Sequence, residues 1–211
     1  MRTIPKGREP ASLAEHRSVP GADYEGYRDK DALRAHVVKE QRGLCCYCLS
    51  RIRAERGSAK IEHWHCQANH LAEQLDYSNL LGACMGNEGR TGRDQTCDTR
   101  KGNRDLSRNP ANPMHRVEDA IRFVSDGRIV SDDKAFDAEL NEVLNLNQAF
   151  LRNNRKETLK GFLAALDKRG QWPRAALEGW LQQWNGESGA GELQPFCQVV
   201  VYWLRKRLLR A

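Results

Sequence analysis

Seven cysteines in 211 residues, six of them between Cys45 and Cys97, restrict this chain more than any other feature. An odd total with six crowded into one window suits metal ligation in a reducing compartment better than a disulfide framework. Cys45 and Cys48 have the Cys-x-x-Cys spacing of a zinc knuckle, in which a tight turn aims two thiolates at one tetrahedral ion. Cys84 and Cys97 offer the second pair of ligands. A redox dithiol is the competing use of the motif, but its strand-to-helix context is missing here. Cys46, Cys66 and Cys197 read as small buried thiols.

Inside the same window stands Ile61-Glu62-His63. A carboxylate next to a histidine offers a metal ligand and a general base together. Ile61 is expected to be buried in a short strand that ends at the pair. Asn79 precedes a second short apolar element, Leu80-Leu81, and suits a loop pinned by a side-chain amide. From Cys97 a short helix is expected, with Asp98 at its start and Arg100, Lys101 and Arg104 along it, broken by Asn109-Pro110 and Asn112-Pro113. Arg51, Arg53, Arg56 and Lys60 form a basic stretch that either tracks a phosphate backbone or is a solvated loop. Arg90 and Arg93 lie in a glycine-rich basic insert, residues 85–96, able to reach a nucleic acid or a partner. Trp64 is expected to pack on the knuckle. His65 and His70 read as ordinary surface or hydrogen-bonded histidines, with no carboxylate at a recognisable spacing.

The flanking segments carry less chemistry. Residues 1–22, with Pro5, Pro10 and Pro20, read as an extended arm that packs against something or stays loose, with Lys6 and Arg8 either touching a phosphate or lying in a solvated tail. Leu33, Val37 and Val38 mark one helix face, ended by Gly43. Beyond Met114 the spacing predicts a hairpin with a two-residue Asp126-Gly127 turn. Helices follow, one capped by Asp132 or Asp133, one over 148–168 and one opened by Pro173; a linker spans 186–191 before a last helix from Pro195. The fold class is therefore α+β: an N-terminal arm and helix (1–40), a small zinc-stapled core (41–113) and a mainly helical lobe (114–211). The lobe could dock a partner, form a homodimer interface or be a second core. No apolar run reaches membrane-spanning length and the N-terminus lacks a signal-peptide core, so a cytoplasmic protein without membrane contact is expected. A charge of +6 and a pI near 9.0 lean toward polyanionic partners. No phosphate-loop motif is present, which excludes nucleotide hydrolysis of that type.

Taken in order, Cys45-x-x-Cys48, Glu62-His63, Asn79, Cys84, Cys97-Asp98 and Lys101 resemble the HNH endonuclease superfamily with its ββα-metal core. The Cys-x-Tyr-Cys knuckle, the Asn79-Leu80-Leu81 segment, Cys97-Asp98-x-x-Lys101 and Val143-Leu144-Asn145-Leu146-Asn147 are most similar to the branch linked to retrons and Septu antiphage defence, known as PtuB. The resemblance implies a metal-dependent endonuclease acting on nucleic acid, with DNA favoured and tRNA or other RNA as the alternative, working with a PtuA-like ATPase. It implies His63 as the base, Glu62 and Asp98 as ligands of a catalytic Mg2+ or Mn2+, and a structural Zn2+ on Cys45, Cys48, Cys84 and Cys97. Asn79 would fix the loop that orients His63. Lys101, Arg100, Arg104 and the basic residues Arg51, Arg53, Lys60, Arg90 and Arg93 would hold phosphates. Two departures stand out: Asp98 occupies a position where Asn or His is usual, and residues 85–96 split the second cysteine pair. The rival expectation is a zinc-stapled nucleic-acid-binding module without catalysis.

Overall fold

The computed structural model describes residues 1–167, 170, 172–189 and 191–210. Its first segment is packed, which overturns the solvated tail. Met1 and Ile4 are buried in the main core, and the Ile4 amide donates to the Pro110 carbonyl at 2.8 Å. Pro10 leads into α1 (Ala11–Arg17), which buries Leu13. These apolar residues are too sparse to show a period, so the sequence signalled no buried segment. Lys6 is paired with Glu40 at 2.6 Å and lies over the Tyr77 ring, away from any role as a loose phosphate contact. Helix α2 (Lys30–Glu40) buries Leu33, Val37 and Val38 as their spacing predicts. The chain leaves it through Arg42 and Gly43, both at positive φ.

The knuckle follows, closed by a bridge between Leu44 and Arg51. Strands β1 (Ala59–His63) and β2 (Leu80–Cys84) then pair antiparallel, with Ile61 opposite Gly82 and Glu62 opposite Leu81. Buried Gln41 ties knuckle to strand: its amide nitrogen donates to the carbonyls of Leu44 and Gly82, and its oxygen accepts from the Gly82 amide at 2.6 Å. Successive strand residues face opposite sides. Ile61 and His63 look toward α2 and the residues packed with it, Tyr24, Leu33, Val37, Leu75 and Tyr77. Lys60 and Glu62 look toward α3 (Cys97–Lys101), where they meet Thr99 and Lys101.

The C-terminal half continues the same core. Strands β3 (Arg122–Phe123) and β4 (Ile129–Val130) form the expected hairpin, but its turn has three residues, not two. Val124 donates to Arg128 at 2.9 Å, leaving Ser125, Asp126 and Gly127 between them, with Gly127 at φ +84°. Asp133 caps α4 (Lys134–Ala138), which runs on as a π turn, Glu139–Val143. Helices α5 (Ala149–Asp167), α6 (Arg174–Asn185) and α7 (Cys197–Leu208) complete the chain. Lys168, the expected end of α5, and Ala190, within the expected linker, lie outside the described residues.

Val117, Ile121, Ile129, Phe136, Leu140, Leu144, Leu146, Leu151 and Phe196 share one continuous core with Cys45, Tyr47, Cys48, Leu81 and Cys97. Packing therefore runs across residue 114, where a boundary was expected. A separate cluster, Phe162, Leu166, Leu177, Val200 and Leu204, joins α5, α6 and α7, with Trp184 and Trp203 packed against it. Among the described residues no helix is long and apolar enough to cross a membrane.

Candidate functional site

The Sγ atoms of Cys45, Cys48, Cys84 and Cys97 all lie within 4.8 Å of one another. Four thiolates on a zinc ion at 2.3 Å are separated by about 3.8 Å along each tetrahedron edge. Here Cys45 and Cys97 are 3.9 Å apart, and Cys48 and Cys84 3.7 Å. Burial alone would raise the Cys45 thiol, yet hydrogen bonds from Cys46, Cys48, Cys84 and Cys97 together hold it well below its ordinary range. Cys97 is pushed up, first by Cys45 and then by Cys48 and Cys84. Such a donor set fits a closed, tetrahedral zinc-class site.

Residues 85–96 do not separate the second cysteine pair, because their ends meet. The Thr96 amide donates to the Gly86 carbonyl at 3.0 Å, and Asn87 donates to the Asp94 carbonyl at 2.8 Å. Gly86 is required at this crossing: it sits at φ +55°, and a Cβ there would lie 2.2 Å from the Thr96 carbonyl oxygen. Cys97 itself has φ +54°, a region β-carbon-bearing residues seldom occupy. Its amide is held by the Leu144 carbonyl at 2.9 Å, and Asn145 donates to the carbonyls of Arg93 and Gln95. The Val143–Asn147 segment thus clasps the loop and the fourth thiol.

On the α3 side of β1, Glu62 is 2% exposed. Its Oε1 accepts from the Tyr47 hydroxyl at 2.7 Å and from Lys101 Nζ at 2.9 Å. Lys101, only 1% exposed, also donates to the His63 carbonyl at 3.1 Å. Burial and the adjoining Asp98 carboxyl push Glu62 well above the usual carboxylate range, against the opposing pull of Lys101 and Tyr47. Asp98 is partly open to solvent and lies 3.7 Å from Lys60 Nζ.

His63 lies on the other face of the strand, so adjacency in sequence does not place its ring beside the Glu62 carboxylate. The ring meets Tyr24 edge-on at 4.5 Å, and Nε2 lies 3.0 Å from the Gln74 carbonyl oxygen. A carbonyl only accepts, so Nε2 carries a proton and, in the neutral ring, Nδ1 holds the lone pair. Burial is the largest influence and, with Lys101, holds His63 below its ordinary value, against the Gln74 carbonyl and Asp98.

Asn79 secures this loop from inside. Its side-chain oxygen accepts from the His65 amide at 2.7 Å, and its nitrogen donates to the carbonyls of His65 and Glu73 at 3.0 and 3.2 Å. Glu73 immediately precedes Gln74, the residue that holds His63. The first segment adds a second brace, since the Tyr24 amide donates to Gln74 Oε1 at 3.0 Å. Tyr24, Gln74 and Tyr47 were absent from the sequence-derived site; no local spacing marks Tyr24 or Gln74, while Tyr47 stands inside the Cys-x-Tyr-Cys knuckle, which gave no sign of its bond to Glu62.

The proposed phosphate contacts divide. Lys101 is buried with Glu62 and does not face solvent. Arg51 donates to the carbonyls of Gly43 and Leu193, and Arg53 pairs with Glu192, so both bind the knuckle to the segment before α7. Arg104 caps carbonyls of Arg100, Lys101, Glu142 and Val143. Arg100 donates to the Gly92 carbonyl, and Lys60 contacts Glu88 and Thr99. Arg90 and Arg93 remain exposed on the loop. His65 and His70 are partly exposed and hydrogen-bonded, in keeping with the expectation, but their partners are carboxylates that no spacing marked: His65 Nδ1 lies 2.7 Å from Glu73 Oε2, and His70 Nε2 lies 3.2 Å from Asp105 Oδ1.

No protein-family model matches the chain, and no curated protein matches it.

Proposed function

We propose that the chain is a metal-dependent nuclease of HNH type that hydrolyses nucleic-acid phosphodiester bonds, duplex DNA in the first instance. The observation that carries this reading is the His63 imidazole: buried, kept neutral, and fixed through Nε2–H on the Gln74 carbonyl so that Nδ1 is the base. It ends a strand whose other face carries Glu62, beside the Asp98 carboxyl of α3. Nδ1 accepts a proton from water as the water oxygen bonds to phosphorus. The phosphorus bond to the leaving oxygen then breaks, and that oxygen takes a proton from solvent.

Glu62 and Asp98 are the residues that would hold Mg2+ or Mn2+, which would supply charge neutralisation at the phosphate and the leaving oxygen. Their chemistry fits a shared cation, since the Asp98 carboxyl raises Glu62 and both hydrogen bonds described at Glu62 fall on Oε1. Exposed Arg90 and Arg93 are the cations best placed for phosphates. The same resemblance brings in a PtuA-like ATPase as the partner that supplies a trigger.

One observation favours a second reading. The buried Lys101 ammonium already compensates Glu62, as it would in a zinc-stapled binding module with no hydrolysis. Plasmid DNA and total RNA, incubated with magnesium, manganese or EDTA, separate the two. The nuclease loses about 10²- to 10⁴-fold in rate on His63→Ala while retaining binding. Cleavage unchanged in that variant removes His63 from the mechanism, and no cleavage even with the ATPase and its trigger leaves the binding module.

A further inference from the structure

Between β1 and β2 lies a second group of side chains of metal-ligand type, separate from the four cysteines and from Glu62 and Asp98. His65, His70 and Glu73 bring one ligand atom each to within 4.8 Å of the others. We propose that these three residues bind a zinc-class divalent ion, with Asp105 as the carboxylate that orients His70.

Four observations support the site. The donor chemistry is two imidazoles and one carboxylate, a borderline nitrogen and oxygen set that suits zinc far better than magnesium. The rings are held in place: His65 packs against Trp64 with centroids 4.0 Å apart at a tilt of 34°, and stacks on His70 with centroids 4.4 Å apart at 18°. The backbone beneath is fixed at two ligands, because the Asn79 side chain binds both polar groups of the His65 main chain and the Glu73 carbonyl. Finally, His70 Nε2 faces Asp105 at 3.2 Å, the carboxylate-to-histidine pairing that sets the orientation of a ligating imidazole.

All three side chains are partly exposed, so an ion and its water reach them without opening the core. Three protein ligands leave a coordination position to solvent, unlike the closed cluster of thiolates. The site also sits on the loop that carries Gln74. An ion on His65 and Glu73 therefore stiffens the segment that holds His63.

The test needs no nucleic acid and is independent of the proposed nuclease. The full-length chain is treated with a mild chelator, and zinc chloride is then titrated in against a chromophoric competitor while total zinc is measured. The wild type is expected to keep one tightly held equivalent on the cysteines and to take up about one labile equivalent more. His70→Ala and Glu73→Gln take up no labile zinc and retain the tight one, while Asp105→Asn binds the labile ion about 10- to 100-fold more weakly. Glu73→Gln keeps the shape of the side chain and an acceptor for His65, so it decides the matter if His70→Ala loses the tight zinc through misfolding. A wild type that takes up no labile zinc, or a Glu73→Gln protein that takes it up as the wild type does, overturns the site.

Discussion

Replacing Lys101 by Met removes a charge from a place water does not reach. Glu62 is then left buried against Asp98 with only the Tyr47 hydroxyl for compensation. Breaking one partner out of such a pair costs about 3–5 kcal/mol, and in a chain of this size we expect Tm to fall by roughly 6–20 °C. Arg93→Ala, exposed on its loop, is the control and should lie within about 0.5 kcal/mol of the wild type. A Lys101→Met protein melting with the control would mean that the ion pair does not form. His63 gives the pH dependence. Its folded value lies below 6.5, so the unfolded chain binds this proton first as pH falls. The stability it contributes is complete above 6.5 and declines from there toward the folded value. If His63 is the base of the proposed nuclease, the acid limb of the kcat/KM profile should fall at an apparent pKa below 6.5. A limb at or above 6.5 would count against burial as the controlling influence on His63.

At the scale of elements, the crossing of the 85–96 loop decides whether Cys84 and Cys97 share a metal. Gly86→Ala puts a methyl group against the Thr96 carbonyl and must spread the loop ends; Gly89→Ala, also at positive φ, meets open space. We expect Gly89→Ala to cost about 1–2 kcal/mol of backbone strain and leave zinc retention unchanged. Gly86→Ala should release zinc to a chelator at markedly lower concentration, and equal release from the two would detach the crossing from the metal. The same elements show what a sequence conveys. The thiols were legible because sulfur chemistry and the Cys-x-x-Cys turn are local. Helix α2 was legible because its apolar period is local too. Lys101 was not, since a lysine in a basic run looks solvated until the carboxylate 39 positions earlier is folded against it. Nor were the partners of His65 and His70, since Glu73 reaches His65 only through the fold of its loop and Asp105 comes from beyond α3. Whether the first segment packs or stays loose was undecided for a related reason: Met1 and Ile4 find their apolar neighbours in residues far along the chain.

For the molecule as a whole, the cysteine cluster and the C-terminal half share one core. A fragment comprising residues 1–113 lacks Phe136, Leu140, Leu144, Leu146 and Leu151, all fully buried beside the knuckle. We expect that fragment to give poorly dispersed amide resonances even with zinc present, while the full chain gives dispersed ones. A well-dispersed spectrum from the fragment would restore a boundary at residue 114. The clasp on Cys97 carries this dependence into the order of synthesis. A chain leaving the ribosome has presented all four thiols once residue 97 is out, but the carbonyl that holds Cys97 belongs to Leu144, and Phe196 joins the same core later still. The nascent protein therefore passes through a long interval in which it can meet zinc without being able to enclose it. Any chemistry that depends on this centre waits until the chain has been made.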